Sequence, residues 1–311
     1  MRRRNALLTI LAAAAVLAAA PALAQVPPNI AAQLKTLGRV VDPEHTGQIY
    51  APYQRKPPYD GVKFVRDLKY GPDPKEDLDV ATPAAAGRDR PVVLFVHGGA
   101  YVGGDKSRDA KGEPSPFYDN IMLWSVGKGM VGVNMNYPLA PGATYPKVQQ
   151  DIAAVIVWIQ KNIRRYGGDP NRVYIWGHSA GATHVATYIG HPEFYPKGGP
   201  GVRGAITTSA TYDMTSTRPN VYFGPPETLT ERSAKAGLLK TRVPLFIAAA
   251  ELDPQGMVDS ASQLNAALCA ENRCPAWYGV LKDHSHMSES YHVNTADQSL
   301  AGPLWAFIKS H

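Results

Sequence analysis

A serine stands between two glycines in Gly177-His178-Ser179-Ala180-Gly181, directly after the apolar-rich run Val173, Tyr174, Ile175, Trp176. A strand ending in G-x-S-x-G and followed by a helix makes a turn so tight that side chains two residues before and after the serine would clash. Glycine at 177 and 181 removes them and leaves Ser179 Oγ exposed at the carboxyl edge of a sheet, above a helix N-terminus. A serine hydroxyl is a poor nucleophile unless a base takes its proton and an acid orients the base. Where the nucleophile sits on such a turn, the acid and then the histidine follow it in the chain. Downstream, a strand expected at 243–249 runs into Glu251-Leu252-Asp253-Pro254, which makes Asp253 the preferred acid, with Glu251 and Asp213 as rivals. After the last expected strand comes Lys282-Asp283-His284-Ser285-His286-Met287, which offers His284 or His286 as the base. Attack on an acyl carbon creates an oxyanion that needs preorganised N–H donors. The strand expected at 91–96 ends in His97-Gly98-Gly99-Ala100-Tyr101, and the expected donors are the N–H groups of Gly99, Ala100 and Ala180.

These groups have to be positioned by a sheet. Short apolar runs at 91–96 and 130–135 read as strands buried on both faces. Further strands are expected at 173–176, 202–207, 243–249 and 276–281, with shorter ones at 63–69 and 78–81. Apolar residues Ile152, Val155, Ile156, Ile159 and Ile163 recur at helical spacing, predicting a helix over 148–166 that Gly167-Gly168-Asp169-Pro170 stops. Helices are also expected at 180–189, 258–269 and 300–309. Strands alternating with crossover helices mean an α/β fold with a mostly parallel sheet covered by helices on both faces. Residues 25–60, rich in proline and polar side chains, read as an irregular N-terminal arm, and residues 61–311 as one catalytic domain.

Arg2, Arg3 and Arg4, the apolar stretch 7–20 and Ala22-Leu23-Ala24 have the form of a secretory signal peptide over residues 1–24. The apolar stretch is shorter than the roughly 20 residues of a spanning helix, so cleavage, no membrane attachment afterwards, and a periplasmic or secreted location are expected. Three of the 32 Lys and Arg residues lie in that leader, so its removal takes the formal net charge from +6 to +3. No basic stripe with interleaved aromatics remains, which argues against nucleic-acid binding. Export permits a disulfide between Cys269 and Cys274 that would pin a helix end to the next strand; two unpaired thiols are the alternative. The H-x-H pair at 284–286 has no evident third ligand, so no metal is expected.

The chain resembles bacterial carboxylesterases of the α/β-hydrolase superfamily with an HGG-type oxyanion loop, closest to the hormone-sensitive-lipase-like and bifunctional feruloyl/acetyl-xylan-esterase-like branches. The motifs are HGGAYVGGDKS (97–107), NYPLAP (136–141), YPKVQQDIAAVIVWI (145–159), GGDPNRVYIWGHSAG (167–181), ELDP (251–254) and DHSHMS (283–288). The resemblance implies an α/β-hydrolase fold, with the nucleophile on Ser179, the acid on Asp253, the base on His286 and the oxyanion donors on Gly99, Ala100 and Ala180. It also implies hydrolysis of a small-molecule ester without a metal or organic cofactor. Many relatives have a third glycine where this chain has Ala100, which puts esters of tertiary alcohols in doubt. The segment between the strands at 202–207 and 243–249 is short for a lid, so a small cap or none is expected, favouring short acyl groups. The same triad serves amide hydrolysis, and a hydrolase scaffold can also carry a non-catalytic binding protein. His45, His178, His184, His191, His292 and His311 are given no chemical role, and Tyr101 and Trp124 read as core before they read as pocket.

Overall fold

A computed structural model describes residues 25–311; the expected signal peptide, residues 1–24, lies outside the described residues. The strands are β1 (Val62–Lys69), β2 (Asp77–Pro83), β3 (Arg90–Val96), β4 (Val131–Met135), β5 (Gly168–His178), β6 (Gly204–Thr208), β7 (Leu245–Leu252) and β8 (Trp277–Ser285). They form one sheet in the order β1-β2-β4-β3-β5-β6-β7-β8. β2 runs antiparallel to both neighbours, and all pairs from β4 to β8 are parallel. The helices are α1 (Pro28–Leu37), α2 (Pro43–Tyr50), α3 (Asp119–Gly127), α4 (Lys147–Asn162), α5 (Ala180–Gly190), α6 (Leu229–Arg232), α7 (Lys235–Leu238), α8 (Gln255–Ala270), α9 (Ser288–Tyr291) and α10 (Ala301–Ser310).

The central strands are apolar on both faces because both are covered. Val92, Leu94, Val96, Val173 and Ile175 pack with Ile152, Val155 and Ile156 of α4, Val185 of α5 and Leu264 of α8. Their neighbours in sequence, Val93, Phe95, Tyr174 and Trp176, pack with Ile121 and Trp124 of α3 and Leu304 and Phe307 of α10. Trp124 is therefore core, as its sequence context suggested. This period-2 division puts every crossover helix over the sheet, so the loops that leave β3, β5, β6, β7 and β8 meet at one edge.

The N-terminal arm departs from expectation. It is largely helical, with α1 and α2 where an irregular segment was expected. Its prolines start helices instead of breaking them. Pro28 and Pro43 occupy first-turn positions, where a missing N–H costs nothing, and the Asp42 carboxylate caps α2 by accepting from His45 N–H at 2.9 Å. Ile30 and Leu34 of α1 and Tyr50 of α2 bury themselves against Phe117, Met287 and Tyr291. The arm is thus packed on the segment that follows His286, and Arg39 Nη1 donates to the Asp253 carbonyl at 3.0 Å. Leu34→Ala should lower the unfolding free energy by about 2–4 kcal/mol, measured by urea denaturation. A change below about 0.5 kcal/mol, the range of ordinary surface substitutions, would mean that the arm is not part of the core.

Cys269, near the end of α8, and Cys274, before β8, are joined in a disulfide, the favoured of the two expectations. The segment 209–244 holds only short helices, and α7 lies against α5.

Candidate active site

Ser179 sits between β5 and α5 with φ 58° and ψ −125°. This is a left-handed conformation that a side chain adopts only when its surroundings enforce it. The enforcement is visible. A Cβ on Gly177 would strike the Gly181 carbonyl, and one on Gly181 would strike the Val96 and His97 carbonyls. Ser179 N–H donates to Thr208 O at 2.9 Å, tying the turn to the end of β6.

Ser179 Oγ lies 2.8 Å from His286 Nε2, and His286 Nδ1 lies 2.7 Å from Asp253 Oδ1. A carboxylate only accepts, so Nδ1 carries the ring proton and Nε2 is left to accept the serine proton. Asp253 is fully buried. Its second oxygen, Oδ2, accepts from Ala250 N–H at 2.7 Å and from Ser209 Oγ at 2.6 Å. The structure therefore brings together the serine, histidine and aspartate expected from the sequence, contributed by the ends of β5, β8 and β7. The rivals are engaged elsewhere. Glu251 Oε2 accepts from Asp283 N–H at 2.7 Å. Asp213 accepts from Thr215 N–H and Thr215 Oγ1 and meets Lys235.

The loop after β3 lies beside the serine: a Cβ on Gly98 would come within 2.9 Å of Ser179 Cβ. Gly99, Ala100 and Tyr101 all have positive φ, 133°, 52° and 71°. None of the N–H groups of Gly99, Ala100 and Ala180 donates in a turn, loop or cap hydrogen bond among the described residues. His97 braces this loop. Its ring stacks on Tyr137 at 4.3 Å, Nδ1–H donates to Gly98 O at 2.7 Å, and Tyr137 Oη donates to His97 O at 2.6 Å. Burial pushes the His97 imidazole down to about 4, so it stays neutral at neutral pH. Tyr101 packs against Tyr222 and Phe223, with ring centroids 5.8 and 5.5 Å away.

Two histidines given no role from the sequence turn out to be built into the site. His178 Nε2–H donates to the His286 carbonyl at 2.9 Å. Burial, reinforced by the adjacent His286, pushes its imidazole down to about 3, so it acts as a neutral strut. Only its position next to Ser179 hinted at this. His178→Ala would leave a buried carbonyl unpartnered and should lower the unfolding free energy by about 1–3 kcal/mol, checked by thermal or urea denaturation; an unchanged midpoint would contradict it.

The second is His292. The H-x-H pair divides: His286 faces the serine, whereas His284 joins His292 and Asp297 in a buried group whose ligand-type atoms lie within 4.8 Å of one another. The expectation that His284 lacks companions is thus corrected; they lie downstream, at a spacing no ligand motif marks. His284 also bonds Ser299 Oγ at 2.8 Å and Ser288 Oγ at 3.0 Å, and His292 Nδ1–H donates to Ser288 O at 2.7 Å. These contacts fasten both flanks of the loop that carries His286.

Sheet order, crossovers and the placement of Ser179, Asp253 and His286 at one sheet edge define an α/β-hydrolase fold. Residues 78–195 match the BD-FAE family model. The chain is similar to the esterase LipQ of Mycobacterium tuberculosis, 33% identical over 160 residues, which are 48% of this chain and 36% of that protein. It is also similar to the fumonisin B1 esterase of Sphingopyxis macrogoltabida, 31% identical over 131 residues, 37% of this chain and 23% of that protein. The chain thus spans well under half the length of these curated relatives. Among solved structures, esterase B of Lactobacillus rhamnosis superposes with a TM-score of 0.68 at 15% identity, covering 91% of this chain and 93% of that one. A truncated carbohydrate esterase from gut microbiota superposes with a TM-score of 0.66 at 16% identity, covering 82% and 99%.

Proposed function

We propose that the protein is an exported serine esterase that hydrolyses short-chain carboxylic esters through an acyl-enzyme. The observation that carries this reading is the hydrogen-bonded line from Ser179 Oγ through His286 to buried Asp253. Ser179 attacks the ester carbonyl as His286 Nε2 takes its proton. The oxyanion is received by the N–H groups of Gly99, Ala100 and Ala180. The imidazolium, stabilised by Asp253, then protonates the departing alcohol, and water releases the acid by the same steps in reverse. The esterases named above support the reaction class. The leader at 1–24 and the disulfide, a bond that persists in oxidising compartments, support export.

The preference for short acyl groups rests on the segment 209–244. It supplies only short helices, and its Tyr222 and Phe223 are buried against Tyr101 instead of standing off as a broad lid. Rates on p-nitrophenyl esters from acetate to palmitate should peak at the short end. A peak at the long-chain esters would overturn the acyl preference, and turnover of amides but of no ester would overturn the reaction class.

A further inference from the structure

Ser209 connects the triad to a carboxyl group that the proposed mechanism does not use. It directly follows β6 and is fully buried, with its Oγ 2.6 Å from Asp253 Oδ2 and 2.5 Å from Glu289 Oε2. Glu289 lies on α9, three residues after His286, and is likewise fully buried, with Oε1 lacking any partner. One hydroxyl has one proton to donate. With a carboxyl oxygen on either side of Ser209, both contacts are hydrogen bonds only if one carboxyl brings a proton of its own.

The surroundings decide which one. Asp253 accepts from three donors, His286 Nδ1, Ala250 N and Ser209 Oγ, so neither of its oxygens faces an acceptor to which it could donate a proton. Among the described residues, Glu289 has Ser209 alone as a hydrogen-bond partner and no cation paired with it. The ionisable groups that face it are Asp253 from the loop after β7, with His286 beyond it, and Tyr212 from the loop after β6. α2, packed on α9, contributes buried Tyr50, and Arg39 reaches only the Asp253 carbonyl. Burial, and then the charge of Asp253, raise the Glu289 carboxyl well above the usual carboxylate range.

We infer that Glu289 is a protonated positioning residue: its carboxyl O–H donates to Ser209 Oγ, Ser209 donates to Asp253 Oδ2, and this relay holds the Asp253 carboxylate aimed at His286 Nδ1. The inference rests on the esterase reading for its kinetic consequences but not for the location of the proton. Ionising Glu289 would set two carboxylates against a single hydroxyl proton. Asp253 would then be pushed off its line to His286, so activity should fall as pH rises through the Glu289 ionisation. A glutamine amide can replace the O–H donor and cannot ionise.

The first measurement is infrared difference spectroscopy at pH 7 between wild type and Glu289→Gln. The expected result is a protonated-carboxyl band in the wild type that the variant lacks; no such band would overturn the inference, whatever the enzyme's substrate. The second is kinetics on p-nitrophenyl acetate, with fluorophosphonate labelling of wild-type Ser179 checking the esterase reading separately. Ser209→Ala should lower kcat by about 10- to 100-fold at little-changed KM, the scale of a small misplacement of catalytic groups. Glu289→Gln, whose amide can donate to Ser209 in place of the O–H, should keep kcat far closer to wild type than Ser209→Ala does and lose the alkaline decline. A folded Glu289→Gln enzyme as impaired as Ser209→Ala, or with the wild-type alkaline limb, would overturn the positioning role.

Discussion

Ser179→Ala should lower kcat/KM for a short-chain p-nitrophenyl ester by about 10⁴- to 10⁶-fold, with an unchanged unfolding midpoint. The fold should tolerate the change because alanine keeps the Cβ and removes only a hydroxyl bonded to His286 Nε2. The left-handed backbone at φ 58° is imposed by the glycine contacts at 177 and 181 and not by the side chain. What disappears is the hydroxyl 2.8 Å from His286 Nε2, the attacking group of the proposed mechanism. A residual rate above solution should persist, because N–H donors at Gly99, Ala100 and Ala180 would still stabilise an oxyanion formed by attack of water. Steady-state kinetics beside a melting curve separates the two effects. A loss of less than about tenfold would mean that another group is the nucleophile.

The second large effect is expected from Asp253→Asn, about 10³- to 10⁴-fold in kcat. The hydrogen bonds around the side chain dictate how the amide must sit. One oxygen position faces His286 Nδ1, and the other faces the Ala250 N–H at 2.7 Å. Placing the NH₂ toward Ala250 would set donor against donor in a fully buried site. Placing it toward His286 costs less, because the imidazole can move its proton to Nε2. That tautomer points N–H at Ser179 Oγ and cannot accept its proton. The variant should therefore remain folded, with its pocket intact and its base in the wrong tautomer. Nitrogen-resolved NMR of the His286 ring checks the mechanism: the proton should lie on Nδ1 in wild type and on Nε2 in the variant. Full activity in the variant would remove Asp253 from the mechanism.

Much of this was legible from local signals. G-x-S-x-G after an apolar strand reports its own backbone geometry, because the glycines are needed where Cβ atoms would meet the Gly181, Val96 and His97 carbonyls. The alternation in β3 and β5 and the helical spacing in α4 reflect burial, which acts directly on residue type. The arm's helices are not legible, because richness in proline and polar side chains signals irregular chain, whereas Pro28 and Pro43 each begin a helix. The supporting contacts were not legible. His178, Ser209 and Glu289 meet partners far away in the chain, Ser209 with Glu289 and His178 with the His286 carbonyl, while His292 meets His284 and Asp297 at a spacing no ligand motif marks. Only the folded sheet edge brings those partners together. The sequence prefers Asp253 as the acid but leaves Glu251 and Asp213 as rivals; in the fold Asp253 reaches His286 Nδ1, whereas Glu251 turns to Asp283 N–H and Asp213 to Thr215.

The most direct test of the account is time-resolved labelling with a fluorophosphonate, followed by peptide mapping, in wild type and His286→Ala. Activation of Ser179 by His286 predicts one adduct, on the peptide carrying Ser179, forming rapidly in wild type and slowed by at least about 10³-fold in the folded variant. No adduct at Ser179 in folded wild-type protein, or equal labelling rates in the two proteins, would contradict it.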